Sequence, residues 1–380
     1  MRFVESIIHD PQAPEAARER PGRPPRGPAI ATAPTLELAD PARRIAFDAW
    51  LAAIAPQHAL DTRTLRAASS DASFRRYLRI DGAAGTSFIV MDAPPPQEDV
   101  RPFVHVAGLL SGCGLHAPRV LEADAERGFL LLTDLGSRLF LAALQEAQAQ
   151  GDAGAADTLM RDAIAALVRW QGCAAADTLP PYDEALLRRE LELFPEWCVG
   201  REHGVAWGTR EQQRWRAACD LLVASALAQP RVAVHRDYMP RNLMVAQPNP
   251  GILDFQDAVF GPISYDLACL LRDAFISWDE EREIDWAVRY WEAARRVALP
   301  VPEDFGEFWR ALEWMGLQRH LKVLGIFCRL KHRDAKPAYS ADLARFYAYA
   351  HKVAVRYAAL RPLAHLIEPL MGASRIEAFY

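Results

Sequence analysis

Val234-His235-Arg236-Asp237-Tyr238-Met239-Pro240-Arg241-Asn242, followed by Ile252-Leu253-Asp254-Phe255, is the stretch on which the reading of the fold turns. Four residues separate Asp237 from Asn242, and Asp254 follows Asp237 by 17 at the end of a short apolar run. These residue types suit one chemistry. A loop aspartate accepts or orients the proton of an attacking hydroxyl, while an asparagine and a second aspartate offer hard oxygen ligands to a divalent cation. Taken singly, Asp-x4-Asn is common, and His-Arg-Asp also reads as a turn with a helix N-cap. Joined to the apolar run and to Gly261-Pro262-Ile263-Ser264-Tyr265-Asp266-Leu267, the set is much harder to reach by chance.

Upstream, the pattern changes period. Ser73–Ile80 and Ser87–Asp92 alternate as a β-hairpin around Asp81-Gly82, Val100–Leu110 carries a helical stripe, and Pro118–Glu122 and Phe129–Leu132 are extended. Residues 41–134 are expected to form a small, strand-rich lobe with a leading helix. Residues 135–380 read as a helical lobe, with a small sheet from Val232–Val234, Leu243–Val245 and Ile252–Phe255. Residues 11–35 hold seven prolines and few large apolar side chains, so residues 1–40 are expected to be a disordered extension.

Composition excludes several classes. A net charge of −5 gives no reason to expect a nucleic-acid or membrane-binding surface. The six cysteines are scattered without CxxC spacing, which reads as buried thiols, neither a disulfide framework nor a zinc site. No apolar run approaches the roughly 18 residues of a membrane span, and the N-terminus lacks a signal peptide's apolar stretch. A monomer in the cytoplasm is the expectation.

With these motifs in hand, the chain resembles the aminoglycoside phosphotransferase family over roughly residues 60–350. That resemblance implies an α+β, protein-kinase-like two-lobe fold, with a small antiparallel-sheet N-lobe and a mainly helical C-lobe. It implies ATP and Mg2+ as cofactors, Asp237 as catalytic aspartate, and Asn242 and Asp254 as metal ligands. Asp266 corresponds to an acidic residue that braces the catalytic loop through its backbone, and His235 to a member of that loop that orders it by hydrogen bonding rather than acting as base. Asp71–Tyr77, Met91–Pro95, Leu193–Trp197, Leu253–Ala258 and Arg329–Asp334 look like the anomeric N-acetylmuramate/N-acetylglucosamine kinases of bacterial cell-wall recycling. This implies an amino sugar as acceptor and a sugar 1-phosphate as product.

The small lobe departs from the family pattern. Ser69–Phe74 contains no glycine where a glycine-rich loop would cover phosphates, and Met91 or Asp92 stands where the second hairpin strand would offer a lysine or arginine. Arg75, Arg76 or Arg79 is the alternative source of that cation. Cofactor contacts are therefore expected at Ser73 and Arg76, with Leu132, Thr133 and Asp134 presenting backbone groups to adenine. On the acceptor side Glu196 and Arg329 are the candidates, Arg329 for a carboxylate. Glu190 reads as a surface carboxylate, and Arg319, Lys322, Arg329, Lys331, Arg333 and Lys336 read first as a solvated helix face. Two rival functions remain open, an aminoglycoside or other small-alcohol kinase and a nucleotide-binding pseudokinase module.

Overall fold

The computed structural model describes residues 40–68, 74–336 and 342–371. Most of the expected N-terminal extension and the expected cofactor residue Ser73 lie outside the described residues. Contacts group the chain into two units, one comprising residues up to His105 together with Pro118–Leu135, the other Val106–Ala117 together with everything from Gly136 onward. No described helix is long and apolar enough to cross a membrane.

In the first unit, helix α1 (Pro41–Ile54) starts where the sequence provides for it. The Asp40 side chain accepts from the Ala42 N–H at 2.9 Å, and proline occupies the first helical position. Five antiparallel strands follow: β1 (Asp61–Ala67), β2 (Arg76–Asp81), β3 (Ser87–Asp92), β4 (Val120–Asp124) and β5 (Phe129–Thr133), in spatial order β1-β2-β3-β5-β4. Strand alternation puts Leu78, Ile80, Val90, Phe129 and Leu131 on one face, where Phe47, Trp50 and Leu51 of α1 cover them. Phe129 is fully buried, its ring edge-on to Phe47 at 5.5 Å. Phe129→Ala should therefore cost about 3–5 kcal/mol, read as a lower urea midpoint with an unchanged m-value.

Strand parity also decides which face of the sheet Arg76 joins. Arg76 lies opposite Asp92, in register with the α1-covered residues, and Asp92 further accepts from Arg43 of α1 at 2.8 Å. Arg76 thus belongs to the α1 face, while Tyr77, Arg79, Ile89 and Met91 point the other way. On that opposite face Arg79 is held by Asp134, and just before β2 Arg75 is held by Glu98 at 3.0 Å.

After helix α2 (Arg101–Gly112), within which the division between the units falls, the second unit is mainly helical: α3 (Phe140–Ala149), α4 (Ala153–Cys173), α5 (Glu184–Leu191), a π-helical segment (Phe194–Glu202) and α6 (Thr209–Ala228). The expected small sheet is instead two separate ladders. Strand β6 (Arg231–Val234) pairs with β9 (Val259–Pro262), and β7 (Leu243–Met244) pairs with β8 (Gly251–Ile252). Asp254 lies beyond β8 in left-handed backbone, with φ 59°, and so ends no strand. Helices α7 (Tyr265–Leu271), α8 (Glu280–Arg296), α9 (Phe305–His332), α10 (Leu343–Arg356) and α11 (Arg361–Met371) complete the unit.

Two further expectations are corrected here. Cys113 and Cys173 form a disulfide, their Cα atoms 5.6 Å apart, because the chain after α2 meets the end of α4; Cys198, Cys219, Cys269 and Cys328 are free and buried. The cation-rich stretch that includes helix α9 is solvated only toward its end, where Arg333 is exposed. The helix is buried on nearly all sides from Met315 to Leu330, and Arg319, Lys322 and Arg329 are 3, 6 and 5% exposed.

Candidate active site

The loop after β6 is fixed from below by α7. Asp266, in the first turn of that helix and fully buried, accepts from the backbone N–H groups of His235 at 2.7 Å and Arg236 at 2.9 Å. Burial pushes its carboxyl up to about 7, against the pull of those two donors.

His235 spends both ring nitrogens on backbone. Nε2–H donates to the Leu253 carbonyl at 3.0 Å, so Nδ1 is the acceptor for the Asp237 N–H at 3.3 Å. Burial holds its pKa down at about 4, and the ring is neutral at physiological pH. With no nitrogen left for a reacting proton, His235 ties the loop to the residue preceding Asp254.

These bonds bring three sequence-marked side chains together. Asn242 Nδ2–H donates to the Asp237 carbonyl at 2.9 Å and to Asp254 Oδ2 at 3.3 Å, while Gln256 Nε2–H reaches Asp254 Oδ1 at 2.8 Å. The Leu253 N–H donates to the Asn242 carbonyl at 2.9 Å, locking the two segments side by side. Asp237 is only partly buried, yet its surroundings push its pKa up to about 6: loss of water and the charge of Asp254 raise it, and Lys322, Arg236 and Arg319 oppose them.

The donor set fits a magnesium ion. Among the described residues no group of three His, Cys, Asp or Glu side chains could hold a metal alone. Magnesium is ordinarily bound by one or two protein oxygens plus water and substrate phosphates. Asp254 offers a carboxylate, and the bond from Asn242 Nδ2 to the Asp237 carbonyl turns the amide oxygen away from that carbonyl.

The expected residues Leu132, Thr133 and Asp134 belong to the first unit. Leu132 is buried in β5, and the Thr133 N–H donates to the Arg119 carbonyl at 3.1 Å. The Asp134 side chain is taken by Arg79 and by Ser87 at 2.7 Å. Glu196 is exposed on the π-helical segment and Arg329 is buried in α9. The α9 cations whose charge reaches Asp237 are instead Arg319 and Lys322, two to three turns earlier. Glu190 is no surface carboxylate: it is 5% exposed and receives Arg236, Lys322 and Tyr182. A sequence signal for Lys322 and Glu190 was thin, since both types are rarely buried unless paired.

A kinase-like sheet with a helical unit, and a His-x-Asp-x4-Asn loop joined to a second aspartate, define a phosphoryl-transfer fold. The chain belongs to the phosphotransferase enzyme family, which matches residues 64–308. It is 50% identical over 340 residues to an N-acetylmuramate/N-acetylglucosamine kinase of Pseudomonas aeruginosa, covering 88% of this chain and 98% of that protein. It is 52% identical over 312 residues to the N-acetylmuramate/N-acetylglucosamine kinase of Pseudomonas putida, covering 82% and 90%. Among solved structures, a GDP complex of aminoglycoside 2'-phosphotransferase-IIIa shares the fold with a TM-score of 0.56 at 11% identity, covering 81% of this chain and 98% of that one.

Proposed function

We propose that this enzyme transfers the γ-phosphoryl group of ATP to the anomeric hydroxyl of N-acetylmuramate or N-acetylglucosamine, giving the sugar 1-phosphate. The observation that carries the reading is the convergence of Asp237, Asn242 and Asp254 in a chain half identical to two kinases named for these sugars. Asp237 accepts the proton of the attacking hydroxyl, and an anomeric hydroxyl, more acidic than an ordinary alcohol, gives it up more readily. Asn242 and Asp254 would hold Mg2+, which when bound would neutralise charge on the phosphates. Backbone groups of residues 132–135 take the adenine. The product would enter the reuse of cell-wall sugars in the cytoplasm.

A polycationic antibiotic is the less suitable acceptor, because Arg236, Arg319 and Lys322 all place positive charge toward Asp237. The test is incubation with ATP, Mg2+ and N-acetylglucosamine, free or blocked at C1 as the methyl glycoside, followed by phosphorus NMR. The free sugar should give a 1-phosphate and the glycoside no product. Phosphorylation of the glycoside, or of kanamycin in preference to either sugar, overturns the anomeric assignment.

A further inference from the structure

Glu190 is remote from the catalytic loop in sequence, yet it holds the side chain of Arg236, the residue before Asp237. Its Oε1 accepts from the Arg236 guanidinium and from Lys322 Nζ at 2.9 Å. Its Oε2 accepts from the Tyr182 hydroxyl and, at 3.4 Å, from Gln318 Nε2. Lys322 also donates to the Tyr265 hydroxyl at 3.1 Å, and the rings of Tyr182 and Tyr265 meet edge-on at 5.3 Å to close the cage. All six side chains are buried.

We propose that Glu190 is a positioning residue for phosphoryl transfer, which keeps Arg236 and Lys322 occupied so that the carboxylate of Asp237 stays available to the acceptor hydroxyl. The inference rests on the assignment of Asp237 as the proton acceptor. Arg236 immediately precedes Asp237 and has φ 77°, a left-handed conformation unfavourable for a residue with a side chain. It is pinned at both ends, its N–H by Asp266 and its guanidinium by Glu190. Two buried cations face one carboxylate in the cage, so one positive charge is left over, and Asp237 is the neighbouring anion on which both cations act. Without the Glu190 charge, pairing with Arg236 or Lys322 becomes the most favourable state of the Asp237 carboxylate, which turns it from the hydroxyl.

The test is steady-state kinetics of Glu190→Gln and Glu190→Asp with ATP and N-acetylglucosamine, with melting curves in parallel. Glu190→Gln should lose about 10²-fold in kcat, the scale of a misplaced reacting group. Its KM for ATP should stay within about threefold, and Glu190→Asp, which keeps the charge, should recover most of kcat. A lowered melting temperature with wild-type kcat overturns the proposal. Should Glu190→Gln fail to fold, the change is made in a Lys322→Met background, which removes one of the two cations. There a roughly tenfold further drop in kcat at unchanged KM supports the proposal, and no drop overturns it. Asp237→Asn run alongside separates two failures. Turnover by that variant overturns the loop assignment and this inference together, whereas its inactivity beside a fully active Glu190→Gln removes the positioning role alone.

Discussion

Asp237→Asn is expected to reduce kcat by about 10²-fold or more, the contribution of a positioned general base, while leaving the fold and nucleotide binding intact. The substitution preserves shape. The Asp237 carbonyl still receives the Asn242 amide, and its N–H still reaches His235, so the loop keeps its path. What is lost is the oxygen able to accept a proton. Because the variant also removes a negative charge beside Asp254, the KM for ATP should not rise. Coupled-assay kinetics with a calorimetric titration of nucleotide decide the point, and near wild-type turnover would remove Asp237 from the reaction.

Replacing Asp254 should have the larger effect, abolishing Mg2+-dependent turnover rather than merely raising the KM for sugar. With φ 59°, position 254 penalises most side chains, and asparagine and aspartate tolerate it best. Asp254→Asn is therefore the cleaner variant and Asp254→Ala its companion, since alanine adds a backbone cost of about 1–2 kcal/mol. Both should lose turnover, but only the alanine variant should also melt earlier. Unchanged kcat in Asp254→Asn would withdraw the metal-ligand role.

The loop was legible in the sequence because its chemistry is local: residues 235, 237 and 242 must stand at fixed offsets to reach one another around a turn. The support beneath it was much less so. Asp266 was signalled only through the family resemblance, and the partnership of Glu190 with Arg236 spans 46 residues and depends on how α5 meets the loop. The charges on α9 were read as solvated because lysine and arginine usually are, and only tertiary packing reverses that. The face that Arg76 joins was hidden for a different reason, since moving along a strand by one residue exchanges faces. Strand β1, Asp-Thr-Arg-Thr-Leu-Arg-Ala, went unmarked because an edge strand needs few apolar residues, and β9 because Gly261-Pro262 looks like a turn.

Asp254, in left-handed backbone, sets a conflict for anyone evolving this enzyme toward heat resistance. Glycine at this position relieves an unfavourable backbone angle, so a screen that rewards melting temperature alone has reason to keep it. Such a library would accumulate robust, silent proteins. Selection at this codon has to be scored by product formation, because there the demands of endurance and of chemistry point to different amino acids.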